Sequence, residues 1–278
     1  MLGRLPFSWG EALGAHLGRL AYRFGWRTRV VESQLALAFP GRDEVWIKKT
    51  AKASFEHLGR EAAAMASLPW SGTSAVRERV EFDEGREELA AALGEGRGLV
   101  LVSGHFANWE LAGATLAAHG YPIDAVMQRL KNRRLDRYIQ ESRARLGMRL
   151  VDRTGAWGRL IEYLKAGRIV AFVADQDAGR SGVFVPFFGR LASTHRAPAL
   201  LAVRGEAPFF VGGVRKIGPR RYRSWAARLE PLGDSVDGRV ADLTRRWTAE
   251  LERQIRLSPE QYFWHHRRWK TRPPGTDS

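Results

Sequence analysis

A histidine and a glutamate five residues apart are the side chains of this sequence best suited to acid–base chemistry. His105 follows Gly104 at the end of an apolar run, and Glu110 lies near the start of the helical pattern that follows. A histidine that gives one ring proton to a carboxylate has a fixed tautomer, and its other nitrogen can take a proton from a hydroxyl. We therefore expect His105 to be a general base that Glu110 orients. The alternative is a capping or core histidine beside an unrelated surface glutamate.

The segments around this pair are those expected at an active site. Residues 99–102 are apolar on both faces, as in a central strand covered by helices, and the stretch from residue 107 has a helical pattern. Open α/β sheets bind their ligands at the carboxyl ends of such strands. The N-terminus of the helix adds backbone N–H groups that suit a phosphate or a developing oxyanion.

After a helical N-terminal segment, predicted strands and helices alternate along the rest of the chain. Residues 1–75 are predicted to be a helical, membrane-facing segment, and residues 76–278 one continuous α/β catalytic domain. The fold class is therefore α/β, with a helical N-terminal segment followed by a mixed, largely parallel sheet flanked by helices. The strands are predicted at 79–83, 98–103, 122–127, 149–151, 168–174, 208–214 and 222–229, and the later helices at 107–119, 132–146, 155–166, 193–204 and 236–257.

Composition limits the partners and the chemistry. The 278 residues carry a formal net charge of +15, which favours nucleic acid, anionic lipid headgroups, phosphorylated substrates or an acidic carrier protein. The chain has no cysteine, which excludes disulfides and a cysteine nucleophile. No uninterrupted apolar run reaches ~18 residues, so any membrane contact should be peripheral. The first helix combines a basic face with aromatic rings, which fits either a membrane surface or an ordinary packed helix.

Several segments together resemble one family. Residues 104–110 are similar to the H-x4-D/E block of the lysophospholipid acyltransferase superfamily, above all its lipid A biosynthesis (lauroyl/myristoyl) branch, where glycine is common at the position of Ala107. Residues 128–136, 174–189 and 259–273 resemble the later blocks in the same order. The aromatic and basic residues of 259–273 suit a headgroup interface or single-stranded nucleic acid.

The resemblance implies an acyltransferase that transfers groups other than aminoacyl groups. Its donor would be an acyl-carrier-protein thioester and its acceptor a hydroxyl of a lipid A precursor, attacked directly with no acyl-enzyme. Neither a cofactor nor a metal is expected. The implied catalytic residues are His105 and Glu110, and the implied substrate-binding residues are Arg129, Lys131, Asn132, Asp175, Gln176 and Arg180.

Other functions remain compatible with the sequence. The acceptor could instead be a phospholipid or another glycolipid, such as a phosphatidylinositol mannoside. A non-enzymatic nucleic-acid-binding protein would account for the charge and the aromatic-basic tail, but it would leave the His–Glu turn unexplained, so nucleic acid is not expected as a partner. The expected location is the cytoplasmic face of the bacterial inner membrane.

Overall fold

The computed structural model describes residues 7–82 and 84–275. Its N-terminal part is helical, as predicted, and consists of α1 (Phe7–Arg23), α2 (Thr28–Ala38), α3 (Glu44–Ser67) and α4 (Gly72–Arg79). Pro40 follows the end of α2 by two residues and cannot continue that helix. The Asp43 side chain then caps α3 by accepting a hydrogen bond from the Trp46 backbone N–H at 2.7 Å.

The helices α1 and α3 pack with their backbones in close contact. A Cβ atom on Gly14 would lie 2.2 Å from the Gly59 carbonyl oxygen, so neither position has room for a side chain. This contact fixes α1 against the rest of the fold and determines which of its faces remains outside.

The central feature of the remaining chain is a seven-stranded sheet. Its strands are β1 (Val80–Glu81), β2 (Leu99–Ser103), β3 (Ile123–Met127), β4 (Arg149–Asp152), β5 (Ile169–Val173), β8 (Phe209–Gly218) and β9 (Arg221–Arg228). Their spatial order is β1-β9-β8-β2-β5-β3-β4. Among these described strands every neighbouring pair is parallel except β8 and β9.

Helices connect and cover these strands, which confirms the predicted α/β class. They are α5 (Arg86–Gly94), α6 (Trp109–Ala118), α7 (Arg133–Arg145), α8 (Trp157–Lys165), α9 (Ala197–Gly205) and α10 (Val236–Leu257). Val100 and Val170 on the central strands are fully buried, as their apolar neighbours on both sides predicted.

The structure corrects the prediction after β5. A separate two-stranded antiparallel hairpin, β6 (Val183–Phe187) and β7 (Arg190–Thr194), follows that strand. The sequence predicted no strand here and began a helix at residue 193, whereas α9 begins at Ala197. Pro186 within β6 weakened the strand pattern, since proline is confined to edge strands and bulges.

Candidate active site

His105 and Asp175 meet because they follow two neighbouring parallel strands. Ser103 at the end of β2 pairs in register with Val173 at the end of β5, and each functional residue comes two positions later. His105 Nδ1 lies 2.6 Å from Asp175 Oδ1. Gly104 makes this approach possible, because a Cβ there would lie 3.3 Å from Asp175 Cγ and 2.6 Å from Leu251 Cδ2.

His105 and Asp175 each shift the pKa of the other. Burial lowers the pKa of His105, but the charge and hydrogen bond of Asp175 outweigh it, and the net pKa is raised above 6.5. Burial likewise raises the pKa of Asp175, but the interaction with His105 outweighs it and holds the pKa at about 2. Asp175 is therefore an ionised, buried acceptor, which fixes a proton on Nδ1 and leaves Nε2 free to act as a base.

Glu110 does not occupy the place that the sequence predicted for it. Its two carboxylate oxygens accept hydrogen bonds from Arg143 of α7, from Nε at 2.7 Å and from Nη2 at 2.5 Å. This bidentate pair is largely buried, with 15% of the Arg143 side chain and 18% of the Glu110 side chain exposed. The carboxylate hydrogen-bonded to His105 is Asp175, so the predicted His105–Glu110 contact is corrected. Glu110 still raises the pKa of His105 through its charge.

The turn that carries His105 is fixed by its backbone. The Ala107 N–H donates to the Gln261 carbonyl at 2.8 Å, and the Phe263 N–H donates to the His105 carbonyl at 3.0 Å. Ala107 has φ of 47°, in the left-handed region that favours glycine. The Asn108 side chain then caps α6 by accepting from the Leu111 N–H at 2.8 Å.

A large cavity opens beside His105 and extends between α6 and one face of the sheet. Its volume is about 890 Å³. Many side chains on both surfaces are small and do not fill the space between the helix and the sheet, so an apolar slot remains where larger residues would pack the core. The slot is lined by Ser103, Ala125, Ala171 and Gly213 of the strands and by Ala112, Gly113 and Leu116 of α6. Such a slot can hold a hydrocarbon chain with its reacting end at His105.

The predicted substrate-binding residues of the second block are next to cavity-lining residues in the sequence. Gln128 and Leu130 line the cavity, whereas Arg129 is not among the lining residues; its exposed side chain has Nε 3.2 Å from Asp136 Oδ2. Asn132 caps α7, its Oδ1 accepting from two backbone N–H groups at 3.1 and 3.2 Å. Lys131, which precedes Asn132, is exposed. Asn132 is therefore engaged structurally, while Arg129 and Lys131 remain accessible cations.

The third block contributes to the cavity and to its support. Gln176 lines the cavity, and Arg180 is exposed in a short 3-10 turn beside it. Asp177 accepts a hydrogen bond from the Thr271 hydroxyl at 2.9 Å, and its backbone N–H donates to His266 Nε2 at 2.9 Å. The C-terminal segment thus holds the loop that carries Asp175.

The aromatic-basic tail is a structural element rather than an open platform. Trp264 is fully buried, and Arg268 is 2% exposed with Nη1 donating to the Ser193 carbonyl at 2.6 Å. The His265 ring packs edge-on against Phe55 at 4.4 Å between centroids. The interface predicted from this alternation of rings and charges is therefore wrong for the buried side chains, because packing already occupies them.

The sequence predicts Asp175 as a substrate-binding residue and does not single out Arg143. The signal that could identify Asp175 as the partner of His105 is its position after a buried strand, since it follows β5 by the same two residues by which His105 follows β2. Arg143 is one of several arginines on α7 and carried no distinguishing signal.

Comparison with known proteins gives consistent matches along the chain. A family model described as bacterial lipid A biosynthesis acyltransferase matches residues 1–271. The chain is 31% identical to a lipid A biosynthesis palmitoleoyltransferase of Escherichia coli (strain K12) over 99% of the chain and 89% of that protein. It is 32% identical to a lipid A biosynthesis lauroyltransferase of the same strain, over 99% and 90%. A phosphatidylinositol mannoside acyltransferase of Mycolicibacterium smegmatis (strain ATCC 700084 / mc(2)155) is 30% identical over 77% and 68%.

Proposed function

The chain belongs to the bacterial lipid A biosynthesis acyltransferase family, and from this premise we propose that it moves a fatty acyl group from an acyl-carrier-protein thioester to a hydroxyl of a lipid A precursor or similar glycolipid. The observation that carries the proposal is the His105–Asp175 pair at the mouth of an apolar slot. A base beside a hydrocarbon-sized cavity is what acyl transfer to a hydroxyl requires.

The reaction is direct transfer. His105 Nε2 takes the proton of the acceptor hydroxyl while the oxygen attacks the thioester carbonyl, and Asp175 stabilises the imidazolium that forms. When the tetrahedral intermediate collapses, the carbon–sulfur bond breaks and His105 returns the proton to the donor thiol. The products are the new ester and the free carrier thiol.

Glu110 acts in this scheme through charge and through Arg143. Its negative charge favours the imidazolium form of His105, and its bidentate pair holds the Arg143 guanidinium against the cavity wall. Glu110 therefore supports the base electrostatically, while Asp175 orients it.

A covalent route through Ser103 is the alternative that the cavity allows. Ser103 lines the slot, but its hydroxyl donates to the Gly104 carbonyl at 3.5 Å. A stoichiometric acyl adduct on Ser103 after incubation with donor alone would favour this route, whereas an unmodified intact mass supports direct attack.

Both proposed substrates are anionic, and exposed cations adjoin residues that line the cavity. Arg129 and Lys131 flank Leu130, and Arg180 follows Gly179. The net charge of +15 favours an acidic carrier protein as donor. The partial match to phosphatidylinositol mannoside acyltransferases supports such a glycolipid as the second candidate acceptor.

We place the protein peripherally on the cytoplasmic face of the inner membrane. Trp9, Leu13 and Leu17 are spaced four residues apart on α1 and are all exposed, Trp9 by 72%. Among the residues that the structure describes, no helix is both long and apolar enough to cross a membrane. Sedimentation with anionic vesicles at rising salt tests the placement. Leu17→Ser should weaken binding and Leu191→Ser, on the exposed hairpin, should not.

Mass spectrometry of the host's lipids tests the function. Cells that express the protein should gain a lipid heavier by one acyl chain, and cells that express His105→Ala at equal level should not. An unchanged lipid profile in a host that supplies both substrates would contradict the proposal.

A further inference from the structure

A buried carboxylate on α3 is joined to the turn that carries His105. Glu61 is 1% exposed. Its Oε2 accepts hydrogen bonds from Asn108 Nδ2 at 2.8 Å and from the Tyr222 hydroxyl at 2.8 Å, and its Oε1 lies 3.0 Å from Lys216 Nζ. Three donors from three different elements therefore converge on one side chain.

Asn108 is the point where this cluster reaches the active site. It lies between His105 and Glu110, and both ends of its amide are used: Oδ1 caps α6 through the Leu111 N–H, and Nδ2 donates to Glu61. A side chain bonded at both ends has one orientation, so Glu61 helps to determine where α6 begins.

Lys216 provides a second connection to the same turn. Its backbone N–H donates to Gln261 Oε1 at 2.9 Å, and its carbonyl accepts from Gln261 Nε2 at 2.9 Å. The Gln261 carbonyl in turn accepts the Ala107 N–H at 2.8 Å. Lys216 Nζ also contacts Glu11 at 2.5 Å, which extends the cluster to α1.

Glu11 lies on the face of α1 opposite its exposed apolar residues. An α-helix turns about 100° per residue, so Glu11 is rotated roughly 200° around the helix axis from Trp9. Leu13 and Leu17 are rotated by no more than about 80° from Trp9. The buried chain Glu11–Lys216–Glu61–Asn108 thus runs from the inner face of the proposed membrane helix to the active-site turn.

Stability alone does not account for such a cluster. Burying charged groups costs free energy, and well-packed apolar residues of similar volume are often as stabilising or more so. The ion pairs of Lys216 with Glu11 and Glu61 are joined to the turn by the hydrogen bond that Asn108 donates to Glu61, and this connection points to a role in the placement of the turn.

We propose that Glu61 is a positioning residue for His105, acting through Asn108 and supported by Lys216 and Tyr222. The inference rests on the proposed role of His105 as the base. Loss of the Glu61 carboxylate frees Asn108 and lets the turn shift, so the base no longer stands within reach of the acceptor hydroxyl. Small displacements of a reacting group lower the rate of the chemical step without requiring weaker binding.

The test compares Glu61→Ala and Glu61→Gln with Asp124→Ala. Asp124 is a matched control because it too is a buried carboxylate in a charged cluster, with Arg149 and Arg168 as its partners, but it lies at the amino end of β3, away from the site. Kinetics are measured on the purified chain with dodecanoyl-acyl carrier protein and a purified lipid A precursor.

Glu61→Ala should lower kcat by about 10–100-fold with KM nearly unchanged. Glu61→Gln should recover most of the rate, since a glutamine oxygen can still accept from Asn108. Asp124→Ala should lose stability but keep its kcat at a temperature where it is folded. In ¹⁵N-histidine spectra, the His105 titration should shift in Glu61→Ala and stay in place in Asp124→Ala.

Tyr222→Phe keeps the inference testable if Glu61→Ala does not fold, because it removes one donor to Glu61 without changing the packing volume. It should give a smaller fall in kcat and a shift of the His105 titration in the same direction. An unchanged kcat and His105 titration in folded Glu61→Ala, or in Tyr222→Phe if Glu61→Ala does not fold, would overturn the inference. His105→Ala in the same assay separates the two proposals, since full transfer by that variant would refute the base itself.

Discussion

Replacement of each of the two carboxylates near His105 distinguishes their roles. Asp175→Asn places an amide beside Nδ1, 2.6 Å from the ring in the native geometry. The amide can donate a hydrogen bond to that nitrogen, which favours the tautomer with its proton on Nε2, the wrong form for a base. Glu110→Gln instead weakens the bidentate pair with Arg143 and leaves the Asp175 hydrogen bond in place.

The expected losses differ in size. A general base contributes about 10²–10⁴-fold to rate, so Asp175→Asn should raise the barrier by about 3–5 kcal/mol. Glu110→Gln should cost less, because its effect on His105 is electrostatic and weaker than that of Asp175.

The pH profile gives an independent reading. His105 must be neutral to act, so kcat/KM falls as the pH drops through its raised pKa. Asp175→Asn removes the main cause of the raised pKa and leaves the lowering effect of burial, so the acid limb should move to lower pH. Glu110→Gln should move it in the same direction by less.

The assay is acyl transfer from dodecanoyl-acyl carrier protein across pH 5 to 9, with folded protein verified by circular dichroism. Near-full activity of Asp175→Asn, or a larger loss and shift for Glu110→Gln, would refute the assignment and restore the pairing expected from the sequence.

Three further predictions concern the slot, a buried histidine and the turn. Ala171→Leu places a larger side chain in the slot and should shift the preferred acyl donor to shorter chains in a competition assay, whereas the exposed Ala166→Leu should not. An unchanged preference would show that the acyl chain does not bind in this slot. Burial lowers the pKa of His57 from 6.5 to about 4, so the folded state binds fewer protons than the unfolded state and the free energy of unfolding should fall by up to about 3 kcal/mol as pH drops from 6.5 to 4. In urea titrations at several pH values, His57→Leu should reduce this loss of stability, and the exposed His16→Leu should not. If the free energy of unfolding falls equally steeply with pH in both variants, burial of His57 is not the cause of the loss. Ala107→Gly relieves a left-handed conformation at φ of 47° and should raise the free energy of unfolding by about 1 kcal/mol, while a loss of stability would show that the Ala107 side chain contributes more than its backbone costs.

The features that the sequence predicts are those set by local pattern. The apolar runs of β2 and β5 identify central strands, and the strand–glycine–histidine–helix order places His105 at a carboxyl end. The hairpin of β6 and β7 escaped prediction because Pro186 and the glycine-containing turn interrupt its alternation.

The local sequence pattern does not predict the hydrogen-bond partner of His105. Asp175 is 70 residues away and reaches His105 because β5 lies next to β2 in the sheet, an adjacency that depends on the packing of all the strands. Glu110 is the carboxylate nearest to His105 in sequence, but its side chain pairs with Arg143. The cluster around Glu61 likewise joins α3, β8 and β9 through contacts that only the complete fold creates.

The most direct test of the central claim follows a labelled acyl chain with purified components. Wild-type protein, His105→Ala and Ala166→Leu are incubated with ¹³C-labelled dodecanoyl-acyl carrier protein and a purified lipid A precursor, and the acceptor lipid is analysed by mass spectrometry. The account predicts one labelled acyl ester on the lipid with wild type and with Ala166→Leu, and none above background with His105→Ala. Labelled ester formed by His105→Ala at the wild-type rate would contradict it.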